Sequence, residues 1–403
     1  MRGLRRWALA LMAAVGLAAA ADAGAQSLTS LRGLGYPLVP ADARVEILGG
    51  IGIGLQGLSA PFTDPAAPAG TRRRGVIVSA SAVEQTATMG DLTADVGATR
   101  FPLIQVLYPV GDVVLSAGYG AYLDQAWAVT RTGSQLVGAV PVGFTDQIRS
   151  TGGIGQARVG AALPLGSRFA LGVAVGLHTG SQDIEFRRLF TDTTEVGFLQ
   201  PFGERRGVQY SGPMAQAGFR WDPISEIRVG ASVTWAGTLS ADSTRGVATD
   251  RDIELPLQLS GGVSAYLAPS LLAAVSGRWS GWSATEGTVA ADLTGVEVVS
   301  RDTWEVGGGL EWDNPESRAT RSYPLRLGFQ YRQLPFSFVG DAPSEWVAGA
   351  GAGMRLGTDP ANPLARIDLT IQRGERTAAG DATTGDLSES MWRFVLSLAL
   401  FGN

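Results

Sequence analysis

The chain has 403 residues, of which 45% are apolar and 17% charged, with 55 glycines, no cysteine and a net charge of −5. It is too apolar for a disordered chain, too long for a small cross-linked domain, and less apolar than a bundle of membrane helices. Disulfides and thiolate metal sites are excluded, and the acidic balance gives no reason to expect a nucleic-acid partner.

The N-terminus carries Arg2, Arg5 and Arg6, an apolar run over residues 7–21, and Ala23-Gly24-Ala25. This is the pattern of a secretory signal cleaved after Ala25; the alternative is a retained anchor. No later stretch of about 18 apolar residues follows, so spanning helices are not expected. Export combined with membrane-like composition points to the outer membrane. The basic residues are all Arg. A GC-rich genome explains this, or Arg forks suited to the phosphates of lipopolysaccharide.

Residues 26–74 do not alternate cleanly. They hold Gly33, Gly35, Gly49, Gly50, Gly52, Gly54 and Gly57, then a Pro-rich stretch over 61–68. Residues 44–58 are readable as a strand or as a compact piece inside a lumen. A plug is the favoured reading, with an extra strand or a periplasmic extension as alternatives.

From Gly75 onward, period-2 runs recur. Phe169, Leu171, Val173, Val175 and Leu177 alternate with Ala170, Gly172, Ala174, Gly176 and His178. Similar runs cover 227–235, 325–332 and 366–372. One face is apolar and the other small or charged, as in a barrel with lipid outside and a polar interior. The runs are longer than soluble strands. Short turns such as Pro109-Val110-Gly111-Asp112 and Asp222-Pro223-Ile224-Ser225 alternate with long connections at 130–149, 183–207, 240–251, 284–301, 334–344 and 376–388. The count is about fourteen antiparallel strands over 75–403. Trp127, Trp235, Trp279, Trp282, Trp304, Trp346 and Trp392 fall at expected outer strand ends. Trp221, Trp312, Tyr108, Tyr266 and Tyr323 fall at inner ends, so two aromatic girdles are expected. The last run, 391–403, alternates up to Phe401. Outer-membrane barrels present such strands to the barrel assembly machinery, an expected partner alongside outer-membrane lipids and lipopolysaccharide.

Taken together, Ser27-Leu28-Thr29-Ser30-Leu31-Arg32-Gly33-Leu34-Gly35, then Ala41-Asp42, the strand count, and the closing pattern from Tyr331-Arg332 through Pro335, 346–353, 367–372 and 388–401 resemble the FadL/TodX family of outer-membrane hydrophobic-compound transporters. The family's Asn-Pro-Ala after the hatch is missing, so no family binding residue is carried over. The resemblance implies a fourteen-stranded barrel with an N-terminal hatch. It also implies capture of a hydrophobic solute by outer loops, a pocket near the hatch, and sideways exit through a gap in the wall.

Candidate contact residues in the outer loops are Leu136, Val137, Val140 and Phe144, with Phe186, Leu189, Phe190, Phe198, Leu199 and Phe202. Their aromatics either touch a solute or close the barrel mouth. By parity Arg158, Arg228, Arg278, Glu305, Glu311, Arg326, Arg332, Arg355, Arg366, Asp368 and Arg393 point inward. They either brace the wall as ion pairs or filter anionic solutes. An outer-rim hydrolase would need the lone His178 with Ser181 or Asp183, but no Gly-x-Ser-x-Gly context or metal-ligand spacing supports it. No cofactor is implied. The expected function is passive uptake of hydrophobic compounds. A diffusion pore for polar or anionic solutes and a structural or secretion-associated barrel are the alternatives.

Overall fold

The computed structural model describes residues 30, 33–57, 59–89, 92–138, 140–191, 199–246, 250–288, 299–313, 321–337, 343–357, 363–379 and 386–402. The expected signal, residues 1–25, lies outside them. Fourteen antiparallel strands close into a barrel. In chain order they are β1 (Arg74–Met89), β2 (Leu92–Val110), β3 (Val113–Asp124, resuming as Trp127–Val137), β4 (Val140–Leu165), β5 (Phe169–Thr191), β6 (Phe202–Ile224) and β7 (Ile227–Ala236, then Thr238–Arg245). Next come β8 (Arg251–Glu254, then Gln258–Ala268), β9 (Leu271–Ser280), β10 (Thr303–Trp312), β11 (Leu325–Gln333), β12 (Ser344–Leu356), β13 (Ala365–Ala378) and β14 (Leu387–Gly402). Each strand pairs with the next, and β14 returns to β1 in a register that sets Val78 opposite Leu398. Closure leaves no sheet edge to face hydrocarbon.

The alternation sorts side chains as a bilayer requires. On β5, Val173 and Val175 are 58% and 59% exposed on the outer surface, while Ala174 between them and Ala170 before them are buried. The same belt continues through Leu115, Val159, Val275, Leu327 and Leu369. Trp221, Trp312, Tyr108 and Tyr323 lie exposed near the short-turn end, and Trp235, Trp304, Trp346 and Trp392 near the loop end.

Three expectations are corrected. Trp127 and Trp282 are buried inside the barrel, and Tyr266 packs against an internal cluster, so these rings leave the girdles. Stretches 130–149 and 183–207 are not loops in their described parts. β3 to β6 run on beyond the apolar belt as paired strands, with Phe144 opposite Phe190. Charged residues occupy both faces there, because water lies on both sides, and the period-2 signal is lost. Residues 44–58 are not a strand. Ala43–Ile47 is a single helical turn capped by the Asp42 carboxylate, which accepts from the Val45 N–H at 2.8 Å. Glycines with positive φ at 49, 50, 52 and 54 then fold the backbone tightly.

Residues 34–69 pack against inward-facing positions of the wall. Two wall glycines show why that face is so poor in side chains. A Cβ on Gly328 would lie 1.6 Å from the Ile47 carbonyl oxygen, and one on Gly172 would lie 2.0 Å from that of Pro65. Only glycine lets the central backbone approach so closely.

Candidate functional site

The charged wall residues tie this central segment in place. Arg44 donates to Glu311 at 2.7 and 2.8 Å. Glu311 also accepts from Arg326 at 2.5 Å, and Arg326 reaches Asp368 at 2.8 Å. Arg366 joins Asp368 at 2.5 Å and Asp42 at 2.6 Å. Six charges from three strands and the central segment thus form one buried network. Burying them singly would be prohibitive, and pairing them makes the seating of the segment specific.

A second network grips Tyr36. Its hydroxyl meets both oxygens of Glu345, and its ring lies under Arg332 at 4.7 Å and Arg376 at 4.2 Å. Arg332 and Arg376 both bond Glu345, Arg376 also bonds Glu389, and Arg393 bonds Glu46 at 2.5 Å. Elsewhere on the wall Arg278 pairs with Glu305, Arg355 with Asp313 and Arg228 with Asp222. Arg158 lies 3.8 Å from the Phe62 ring and bonds Gln216. Each of the eleven inward residues named from parity thus has a hydrogen-bond, ion-pair or ring partner.

The wall is interrupted between β2 and β3. The β2–β3 ladder runs from Val110 opposite Val113 to Leu103 opposite Gly120, and stops. Pro102 follows with no N–H to donate, beside a register shift between Ser79 and Ser81 of β1. Strand β3 then breaks at Gln125–Ala126. Its freed edge is taken by Tyr36 and Pro37, paired with Asp124 and Leu123, and Leu38 donates to the Tyr122 carbonyl at 2.7 Å. Arg100 of β2 crosses the break to ion-pair with Asp124.

Inside the break lies a narrow cavity of about 40 Å³, lined by Ser81, Arg100, Pro102, Leu38 and Arg393 among others. A second, of about 30 Å³, lies against Tyr122 and Trp282 and shares Leu38 and Arg332 with the first. Beside it the lumen is apolar: Leu34, Tyr122, Ile154, Leu239, Trp282 and Phe336 form one buried cluster. The Trp282 ring stands 6.3 Å from Tyr122 and 5.4 Å from Phe336. Each cavity has room for one or two waters at most.

Further toward the loop end, four of the expected aromatics come together. Phe144 and Phe190 are register partners, Phe186 and Phe202 have ring centroids 5.7 Å apart, and Arg188 lies 4.0 Å above Phe144. Phe198 lies outside the described residues. Arg188 donates to Asp146 at 2.6 and 2.7 Å and holds that carboxyl below the usual carboxylate range. The hydrolase constellation is not assembled. His178 faces inward, 4.5 Å from the Tyr122 ring, whereas Ser181 and Asp183 are exposed on the opposite face of β5.

Tyr36, Leu38, Arg100, Tyr122, Asp124 and Trp282 were missing from the sequence-derived candidates. Pro102 within a strand and the adjacent buried pair Tyr122–Leu123 were the only local signals.

Several solved structures share this architecture. A FadL homologue of Pseudomonas aeruginosa superposes with a TM-score of 0.62 at 14% identity, covering 92% of this chain and 99% of that one. The toluene transporter TbuX of Ralstonia pickettii gives 0.58 at 16%, covering 89% and 98%. The toluene transporter TodX of P. putida gives 0.57 at 15%, covering 92% and 99%. At these identities the likeness speaks to fold. No family model and no curated protein matches the chain.

Proposed function

We propose that this chain is an outer-membrane channel for passive uptake of hydrophobic compounds, with residues 26–74 as a hatch inside the barrel and residues 1–25 as a cleaved export signal. The observation that carries the reading is the interrupted β2–β3 ladder, whose freed β3 edge is covered only by Tyr36 and Pro37. A water-filled pore needs a continuous bore. The cavities beside the break are only about 40 and 30 Å³, and the break offers an oily solute a lateral way out. An oily solute gains nothing from crossing to water and loses nothing by leaving sideways.

The route begins at the aromatic face of Phe144, Phe186, Phe190 and Phe202 at the extracellular mouth. It passes the Tyr122–Trp282–Phe336 cluster, crosses Leu38, and leaves through the β2–β3 break past Arg100. Solved structures with this fold include toluene transporters, which supports a monoaromatic or fatty-acid-like solute. Lipopolysaccharide and the barrel assembly machinery are its partners in the membrane. Exposed Arg187 and Arg205 on the strand extensions suit lipid phosphates.

The test uses the full mature chain in asymmetric bilayers with lipopolysaccharide in the outer leaflet. Toluene and a fluorescent fatty acid should cross faster than in protein-free bilayers, with no sugar-driven vesicle swelling. Swelling with sugars, or steady ion conductance, would establish a diffusion pore instead.

A further inference from the structure

At the short-turn end the barrel holds a vestibule of about 470 Å³, within the size range of small-ligand pockets and far larger than the two cavities beside the break. Four arginines line it. Arg72 and Arg73 come from the link into β1, Arg220 from β6 and Arg228 from β7. Ile77, Leu107 and Phe401 supply apolar lining from β1, β2 and β14.

The charge balance here differs from the rest of the lumen. Asp222 serves both Arg228, at 2.7 Å, and Arg220, at 3.6 Å. Asp64 is buried beneath, its carboxylate accepting from the N–H groups of Gly54, Ala66 and Ala67. Apart from Arg73, the guanidinium groups of Arg72, Arg220 and Arg228 thus face two carboxylates. Two of the arginines rest on backbone carbonyls: Arg73 on Pro363 at 3.1 Å and Arg220 on Ala69 at 2.9 Å. The Arg220 Nε is inaccessible and has no hydrogen-bond partner. Arg72 is exposed.

We propose that this vestibule is a binding site for an amphiphilic anion. The oxyanion head, a carboxylate or a phosphate ester, is held by Arg72, Arg220 and Arg228. The hydrocarbon body lies along Ile77, Leu107 and Phe401. Guanidinium forks match both heads, and surplus positive charge beside an apolar wall selects an amphiphile over a simple ion or a neutral oil. The site is at the opposite end of the barrel from the aromatic mouth, so it stands independently of the uptake route. Its occupant comes either from free fatty-acid-like carboxylates or from the headgroup of an inner-leaflet lipid.

The chain has no cysteine, so Thr71→Cys, at the vestibule, takes a single environment-sensitive fluorophore. The full mature chain is placed in zwitterionic nanodiscs and titrated with dodecanoate, dodecyl phosphate or dodecanol below their aggregation limits. Both anions should give saturable signals, and dodecanol none at tenfold higher concentration. Arg72→Gln with Arg228→Gln should raise the half-saturation concentration at least tenfold. Arg72→Gln alone, at an exposed side chain, should raise it severalfold without disturbing the Asp222 pair. In nanodiscs containing phosphatidylglycerol, a signal present before titration and not increased by dodecanoate identifies the lipid source; an unchanged titration identifies the free anion. Equal responses to dodecanol and dodecanoate, or wild-type titration of both variants, would overturn the site. Loss of uptake in the lipopolysaccharide bilayer with this titration intact would sink only the transport reading.

Discussion

The hydroxyl of Tyr36 lies 2.8 and 3.0 Å from the two carboxylate oxygens of Glu345, joining positions 309 residues apart. This contact anchors the short stretch that covers the freed edge of β3. Tyr36→Phe removes a hydrogen bond to a charged group, worth about 1.5–3 kcal/mol. The expected outcome is faster solute exit and earlier proteolytic cutting near residue 36, with barrel heat-modifiability unchanged. Equal cutting in both proteins would remove Tyr36 as the anchor.

The Arg100–Asp124 pair spans the β2–β3 interruption in the wall. Arg100→Ala should increase toluene flux severalfold in the lipopolysaccharide bilayer while sugar permeability stays at background. An unaltered flux would mean that solute leaves by another path.

Gly328 and Gly261 offer a matched comparison. Valine at 328 would collide with the Ile47 carbonyl, whereas a Cβ at 261 meets nothing closer than 3.8 Å. Gly328→Val should destabilise the folded protein by about 1–3 kcal/mol and expose the central segment to protease. Gly261→Ala should behave as wild type. Denaturant titration followed by tryptophan fluorescence distinguishes them.

Arg326 and Arg206 contrast a buried with an exposed pair. Removing Arg326 strips a partner from both Glu311 and Asp368 in the dry interior. Arg326→Ala should cost about 3 kcal/mol or more. Arg206, paired with Glu204 in solvent, should show no measurable change on replacement. If Arg326→Ala is as stable as wild type and only ion selectivity changes, the network is a filter rather than a brace.

Acid should loosen the extracellular extension of β4 and β5. The Asp146 carboxyl is held low by the Arg188 hydrogen bonds. A folded-state value below the unfolded one stabilises above the ordinary carboxylate range, about 3.9. That contribution declines as pH falls through the folded value. Hydrogen-exchange protection factors over 140–150, corrected for the intrinsic pH dependence of amide exchange, should therefore be flat from pH 7 to about pH 5 and fall on further acidification. Asp146→Asn should be pH-independent; if it retains the acid-induced fall, another group is responsible.

The strand pattern was legible because hydrocarbon imposes a rule on every second residue, as in Phe169 to Leu177. Beyond the bilayer that rule lapses. Asp183, Glu185, Arg187 and Arg188 therefore disguised a strand as a loop. The inner face read correctly as small or charged, but the reasons were hidden. Gly172 and Gly328 are small because a distant backbone passes over them, and Arg44 meets a carboxylate 267 positions away. No local period encodes such pairings. The interruption at Pro102 was visible as a residue, yet its meaning depends on Tyr36 and Pro37 occupying the neighbouring edge.

The ring of strands closes only when β14 meets β1, and the Ala43 N–H donates to Ser397 of that final strand at 2.7 Å. Glu345, Arg366 and Arg376, which hold the same early stretch, also come from the last sixth of the chain. The docking place of the early stretch is therefore complete only once the final strands are in place. Folding must hold some forty residues loosely and then shut the cylinder around them, so an order of events is written into the contacts of the finished molecule.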